Sequence, residues 1–197
     1  MGFYDELKSK YYELRPRRYE LIKERNELPK GSIQIKTRNG RKYVYLAYRD
    51  DWGDVTYDYI KPEEYNALSL KLKRREELNR EIKSVTDELH ITERALGRTK
   101  ANKEYIRDTV SSFVNSYKGA DIKRIVLFGS RATSRFRDDS DADFIVTYGR
   151  RKPGIWETAD LKDRLSEALG LDVDIISADA VDKSMLNIGE TEVVYGA

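Results

Sequence analysis

The chain has 197 residues, with 37 Lys and Arg against 35 Asp and Glu, 39% hydrophobic residues and 37% charged ones. The lack of cysteine excludes disulfides, thiolate metal sites and a cysteine nucleophile, and the lone His90 excludes a His-rich metal centre or a Ser-His-Asp triad. No run of about 18 apolar residues occurs, and Asp5 and Glu6 stand where a signal peptide needs bases, so a soluble cytoplasmic protein without a membrane role is expected.

The first segment places leucines at 7, 14, 21 and 28 among charges of mixed sign, the seam of a solvated helix. Pro16 predicts a kink or break near 12–15, because proline removes one helical hydrogen bond and crowds the preceding turn. Between Gly31 and Ile60 the period falls to two. Ser32–Thr37, Arg41–Arg49 and Val55–Ile60 read as strands joined by Asn39-Gly40 and by Asp50–Asp54, a three-stranded meander. Tyr43, Tyr45, Tyr57 and Tyr59 can share one face, with Lys36, Arg38, Arg41, Lys42 and Arg49 nearby. That pattern suits either nucleic-acid stacking or, on the plainer reading, the only core of a small sheet.

A second helix begins at Pro62 and runs through Leu68, Leu72, Leu78, Ile82, Val85, Leu89 and Leu96, about 50 Å at 1.5 Å per residue. Neither helix can bury its seam alone, so an antiparallel hairpin carrying the meander (31–60) at its tip is expected over 1–103. The same leucines can also pair as a coiled coil between two copies of the chain. His90, among Glu88, Thr92 and Glu93, reads as a solvated side chain.

Residues 1–104 carry 24 basic and 19 acidic residues, whereas 105–197 carry 13 and 16, so the net charge changes from +5 to −3. The pattern changes with it, which puts a domain boundary near 103/104. Glu104–Tyr117 reads as a helix, Ile122–Phe128 as a strand, Asp143–Thr147 as a second strand and Trp156–Leu169 as a helix capped by Gly170. Leu171–Ile176 reads as a third strand, followed by a short helix and a closing segment at Val193–Tyr195. Strands alternating with helices imply a mixed sheet covered by helices, an α+β fold for 104–197.

The chemistry concentrates at two places. Gly129-Ser130 follows an apolar strand with no bulky side chain at the turn, so its backbone can approach a phosphate. Asp141-Ala142-Asp143 then enters an apolar strand, where alternation puts both carboxylates on one side. Asp174 lies inside Leu171–Ile176, where an acid is costly unless a metal or base answers it. Closely spaced carboxylates suit Mg²⁺ carrying substrate phosphates. Arg131 can touch phosphate or pair with Asp138. Asp138 and Asp139 otherwise read as loop charges, and Asp172 as a solvated acid at the strand edge.

Leu127–Ala132, Ser140-Asp141 and Val173–Ile176 together resemble the minimal nucleotidyltransferase (MNT) branch of the DNA polymerase β-like nucleotidyltransferases, over roughly the C-terminal half only. The bulky Arg135, Phe136 and Arg137 depart from the glycine-containing spacers common in that family. The resemblance implies that Gly129 and Ser130 hold the phosphates of a nucleoside triphosphate. It also implies that Asp141, Asp143 and Asp174 bind two Mg²⁺ ions, with Asp174 helping to deprotonate an acceptor hydroxyl. Transfer of AMP from ATP to a protein, as the antitoxin of a HEPN-type toxin, follows from the same resemblance. The toxin would be a separate protein, since this chain has no HEPN ribonuclease motif. Two other readings stand beside it: a nucleotide-sensing module whose hairpin binds nucleic acid or protein without catalysis, and a small-molecule nucleotidyltransferase.

Overall fold

The computed structural model describes residues 2–181 and 188–196, and the short helix expected after Ile176 lies outside the described residues. The elements in chain order are α1 (Phe3–Glu27), β1 (Ser32–Arg38), β2 (Arg41–Arg49), β3 (Val55–Tyr59), α2 (Tyr65–Leu96) and α3 (Arg98–Ser116). They continue with β4 (Ile122–Phe128), a 3-10 turn (Ser130–Ala132), β5 (Ala142–Tyr148), α4 (Ile155–Leu169), β6 (Val173–Ser177) and β7 (Glu192–Tyr195). Among the described residues no helix is long and apolar enough to cross a membrane.

The chain forms two compact units, Met1–Tyr19 with Val85–Ala197, and Glu20–Ser84. This division falls within α1 and α2, because side chains at the start of α1 and the end of α2 pack with the C-terminal elements. Tyr11, Leu14, Val85, Leu89 and Leu96 are buried in the same core as Tyr105, Ile106 and Val110. Within this unit α1 and α2 are antiparallel: Arg18 meets Thr86 and Tyr11 meets Glu93, seven residues along each helix in opposite directions. At its centre Arg15 and Glu93, 3% and 2% exposed, form an ion pair joined by the Tyr11 hydroxyl. Of the kink or break expected near 12–15, the break does not occur, and α1 runs through Pro16. The buried Tyr11, Leu14 and Arg15 hold the preceding turn in place, and the packing they make outweighs one lost hydrogen bond.

The larger sheet has the order β6-β5-β4-β7. β4 is antiparallel to both β5 and β7, whereas β5 and β6 are parallel, joined by the crossover helix α4. Ile125, Leu127, Phe144, Val146, Leu161, Leu165 and Leu169 are fully buried, so α4 covers the sheet with its apolar stripe and ends at Gly170 in the left-handed conformation.

In the Glu20–Ser84 unit, β1, β2 and β3 form the expected antiparallel meander, with the Asn39-Gly40 turn at φ +50° and +75°. Arg74 holds Glu24 in a two-bonded pair at 2.8 and 3.1 Å, and Arg75 donates to the Arg25 and Leu28 carbonyls that end α1. Helix α2 starts at Tyr65, one turn later than expected, because Pro62–Glu64 form a turn ahead of it.

Candidate active site

The backbone explains why three acids far apart in sequence meet. The β5–β6 register sets Asp143 directly beside Asp174, and the β4–β5 register sets Phe128 beside Asp143. Asp141 lies two residues before Asp143 and therefore on the same side of the sheet. One carboxylate oxygen from each of Asp141, Asp143 and Asp174 lies within 4.8 Å of the others. Burial and the charges of Asp141 and Asp174 push the Asp143 carboxyl above its ordinary value, and Arg131 offsets this only in part. Like charges at such spacing ask for a cation, and an all-oxygen, hard donor set fits Mg²⁺ or a similar divalent ion.

Gly129 is fitted to this cluster. It sits at φ +72° and ψ −153°, a region open in practice only to glycine. A Cβ there would lie 2.4 Å from Asp143 Oδ2. The turn is therefore pressed against the carboxylate, and the half-buried Ser130 opens the 3-10 turn that follows. Gly129, Ser130, Asp141, Asp143 and Asp174 are thus brought together.

Arg131 lies close to these residues, but its donors serve the loop backbone. It is fully buried, with Nε donating to the Ser140 and Asp141 carbonyls at 2.9 and 3.1 Å and Nη2 to Ser140 at 2.6 Å. Nη1 donates to Asn102 Oδ1 at 2.8 Å, and burial together with Arg15 pushes the guanidinium down to about 10. In this structure its donors are taken up by the loop that delivers Asp141 and by Asn102. The bulky spacer has a structural reason as well: Phe136 is 3% exposed beneath the guanidinium groups of Arg98 and Arg131, 4.4 and 5.2 Å from its ring centre.

Two more expectations change. His90 is not merely solvated: its Nε2 lies 2.6 Å from Asp138 Oδ2, and Arg98 reaches Asp138 Oδ1 at 3.2 Å. Asp138 is therefore a clamp between the spacer loop and the end of α2. His90, Glu93 and Asp138 also bring ligand atoms within 4.8 Å of one another. Arg98 lies 3.4 Å from Glu93 Oε2, and Arg15 pairs with the other oxygen, so arginines already answer these acids. Asp172 behaves as expected: its side chain is exposed and its carbonyl accepts from Ala142 N at 2.8 Å.

Sequence reading missed Lys162. From α4 its Nζ lies 2.6 Å from Asp174 Oδ1, and that hydrogen bond raises the lysine's pKa. No local pattern marks it, because only the crossover brings α4 over β6. Asn102, the fully buried amide that braces Arg131, was missed too; an asparagine among the apolar positions of α3 was the available signal.

Known proteins bear on the same stretch. Residues 108–195 match the family described as Polymerase beta, Nucleotidyltransferase. No curated protein matches the chain. Among solved structures, the chain is similar to a toxin-antitoxin with AMP-PNP, at 19% identity over 49% of this chain and 74% of that chain, with a TM-score of 0.39. It is also similar to a structure of tri-AMPylated Shewanella oneidensis HEPN toxin in complex with MNT antitoxin, at 18% identity over 50% and 73% with a TM-score of 0.35. A third, a mutant of the toxin-antitoxin MntA-HpeT, is 18% identical over 48% and 73% with a TM-score of 0.37. The matched residues, 108–195, hold the Gly-Ser turn and all three acids, so the similarity to the polymerase β nucleotidyltransferases falls on the stretch that builds the site.

Proposed function

We propose that the protein transfers a nucleoside monophosphate, AMP from ATP, to a hydroxyl group of a protein partner, and that it serves as the antitoxin of a HEPN-type toxin. The observation that carries this is the meeting of Asp141, Asp143 and Asp174 against a glycine whose missing side chain leaves room for Asp143. In this reading Gly129 and Ser130 hold the β- and γ-phosphates, and the three acids hold two Mg²⁺ ions. Bound Mg²⁺ supplies charge stabilisation at the phosphorus under attack and acidifies the attacking hydroxyl. Asp174, with a side chain 56% exposed, is open to an arriving hydroxyl, and it takes the hydroxyl proton. Arg131 and Asn102 keep Asp141 in position through its carbonyl. Residues 1–103 supply the surface on which the partner docks.

The AMPylated toxin of one similar structure names the first acceptor to try. The test is incubation of the protein with Mg²⁺, ATP labelled at the α-phosphate and a HEPN protein. The expected result is label on a tyrosine of the HEPN protein, with pyrophosphate released, and none from the D141N/D143N double variant. Equal labelling by that variant overturns the assignment. Binding of Mg²⁺ and ATP without transfer to any acceptor overturns catalysis and leaves a nucleotide sensor.

A further inference from the structure

The tyrosines of the meander are not its core. The β1–β2–β3 register places Lys36 opposite Tyr43, Gln34 opposite Tyr45, Tyr45 opposite Tyr59 and Ala47 opposite Tyr57. Tyr43, Tyr45, Tyr57 and Tyr59 therefore share one face with Lys36, Arg38, Arg41 and Arg49. The apolar Ile33, Val44, Leu46 and Ile60 take the opposite face. There Leu46 and Ile60 line a cavity of about 710 Å³ with Leu28, Pro29, Ala67 and Leu68, which Tyr59 reaches from the end of β3, all within the Glu20–Ser84 unit. The small core lies on that side, and the tyrosine face looks outward, with Tyr57 42% and Tyr59 52% exposed.

Three features of this outward face point the same way. Its strand residues include four bases and no acid, since Asp58, the one acid in the three strands, is on the other face. Arg38 and Arg41 stand directly opposite each other across the hairpin, a like-charge pair that costs stability unless an anion answers it. The rings also present usable π-faces: Tyr59 lies 5.8 and 6.3 Å from Tyr45 and Tyr43, and the Lys36 ammonium sits 3.2 Å from the Tyr57 ring centre. A lysine set over the rings of Tyr57 and Tyr45 can swing to a phosphate and give the rings to bases.

We infer that this face binds single-stranded nucleic acid, with bases stacked on Tyr43, Tyr45, Tyr57 and Tyr59 and phosphates held by Lys36, Arg38 and Arg41. Three strands span about 10 Å, room for a few nucleotides. Unpaired bases are required, because a duplex keeps its ring faces stacked inside. The inference stands on residues 32–59 alone and does not need nucleotidyl transfer to be correct.

The test uses the full chain with fluorescein-labelled single-stranded RNA, single-stranded DNA and duplex DNA of about a dozen nucleotides, followed by anisotropy from about 50 to 200 mM salt. Single strands of RNA, DNA or both should bind more tightly than duplex, and comparison of the two separates an RNA ligand from a DNA one. Loss of each stacking ring, Tyr57→Ala or Tyr59→Ala, should weaken binding about 5- to 150-fold. Because neither residue is buried, these variants should keep the wild-type circular dichroism spectrum. The Lys36→Gln/Arg41→Gln double variant should flatten the log–log salt slope by about 0.7 for each phosphate no longer neutralised. Ile35→Ala, 61% exposed on the opposite face, should leave affinity unchanged. No binding at the lowest salt, equal affinity for duplex, wild-type affinity in the tyrosine variants, or equally tight binding of polyglutamate would each overturn the inference.

Discussion

Replacing Gly129 with alanine tests the site at its tightest point. The new Cβ would stand 2.4 Å from Asp143 Oδ2, where ordinary contact begins at 3.4 Å, so the carboxylate must retreat by about 1 Å or the turn must move. The backbone resists the second route, since φ +72° with ψ −153° is strained for any residue with a side chain, at about 1–3 kcal/mol. For a chain of this size that corresponds to a fall in Tm of about 2–12 °C. A 1 Å retreat of Asp143 also breaks the spacing of the three carboxylates. Octahedral Mg²⁺ tolerates little of this, and divalent-ion affinity should fall at least tenfold, roughly the loss that misorienting a ligand brings. Calorimetric Mn²⁺ titration and thermal melting of the same samples separate the two effects. Wild-type Mn²⁺ affinity in Gly129→Ala would refute the claim that this glycine is shaped by Asp143.

Further variants probe the surroundings. Glu93→Gln leaves the Arg15 guanidinium without its anion in a buried core and should cost about 3–5 kcal/mol, read as the shift of a urea midpoint; an unchanged midpoint would show the pair to be dispensable. Lys162→Met removes the cation 2.6 Å from Asp174 and should raise Mn²⁺ affinity by up to about fivefold, whereas weaker binding would mean the lysine props Asp174 in place. Burial pushes the Asp138 carboxyl up, but His90, Arg18 and Arg98 outweigh it and hold it below its ordinary 3.8. Its contribution to stability is therefore complete above pH 3.8 and lost as pH falls through the lower folded value, so Asp138→Asn should remove that part of the acid slope in a pH series of melts. Asp143 has the opposite sign: its raised pKa makes the ion-free protein less stable as pH rises from 3.8 through the folded value. Asp143→Asn should therefore melt higher than wild type without metal and lose the rise in Tm that Mn²⁺ gives; a lower melt without metal would contradict the repulsion described.

Much of the site was legible because strand periodicity is local. The Gly-Ser turn, the Asp141/Asp143 alternation and the apolar frame of Asp174 can all be read within ten residues of each other or of a strand. So can the meander, whose Asn39-Gly40 turn sets its register and hence the tyrosine face. What stayed hidden depends on long-range packing. Arg131 looked available for phosphate, yet its partners come from α3 and from the loop nine or ten residues on. His90 looked solvated because Asp138 lies 48 residues away. The burial of Arg15 with Glu93 could not be seen in either helix, since each has charges on every side and only their antiparallel contact selects which pair goes inside. Pro16 misled in part for a similar reason: a local rule allowed a break near 12–15 as well as a kink, and surrounding side chains keep the helix unbroken.

If Asp141, Asp143 and Asp174 hold divalent metal beside Gly129, Mn²⁺ should take its place there. Crystals soaked in Mn²⁺ and measured for anomalous scattering test it directly, because a second set of potential ligands, His90, Glu93 and Asp138, exists in the same unit. Mn²⁺ is expected within coordination distance of carboxylate oxygens from all three aspartates, with nothing at His90. Density at His90, Glu93 and Asp138 with none at the aspartates would contradict it.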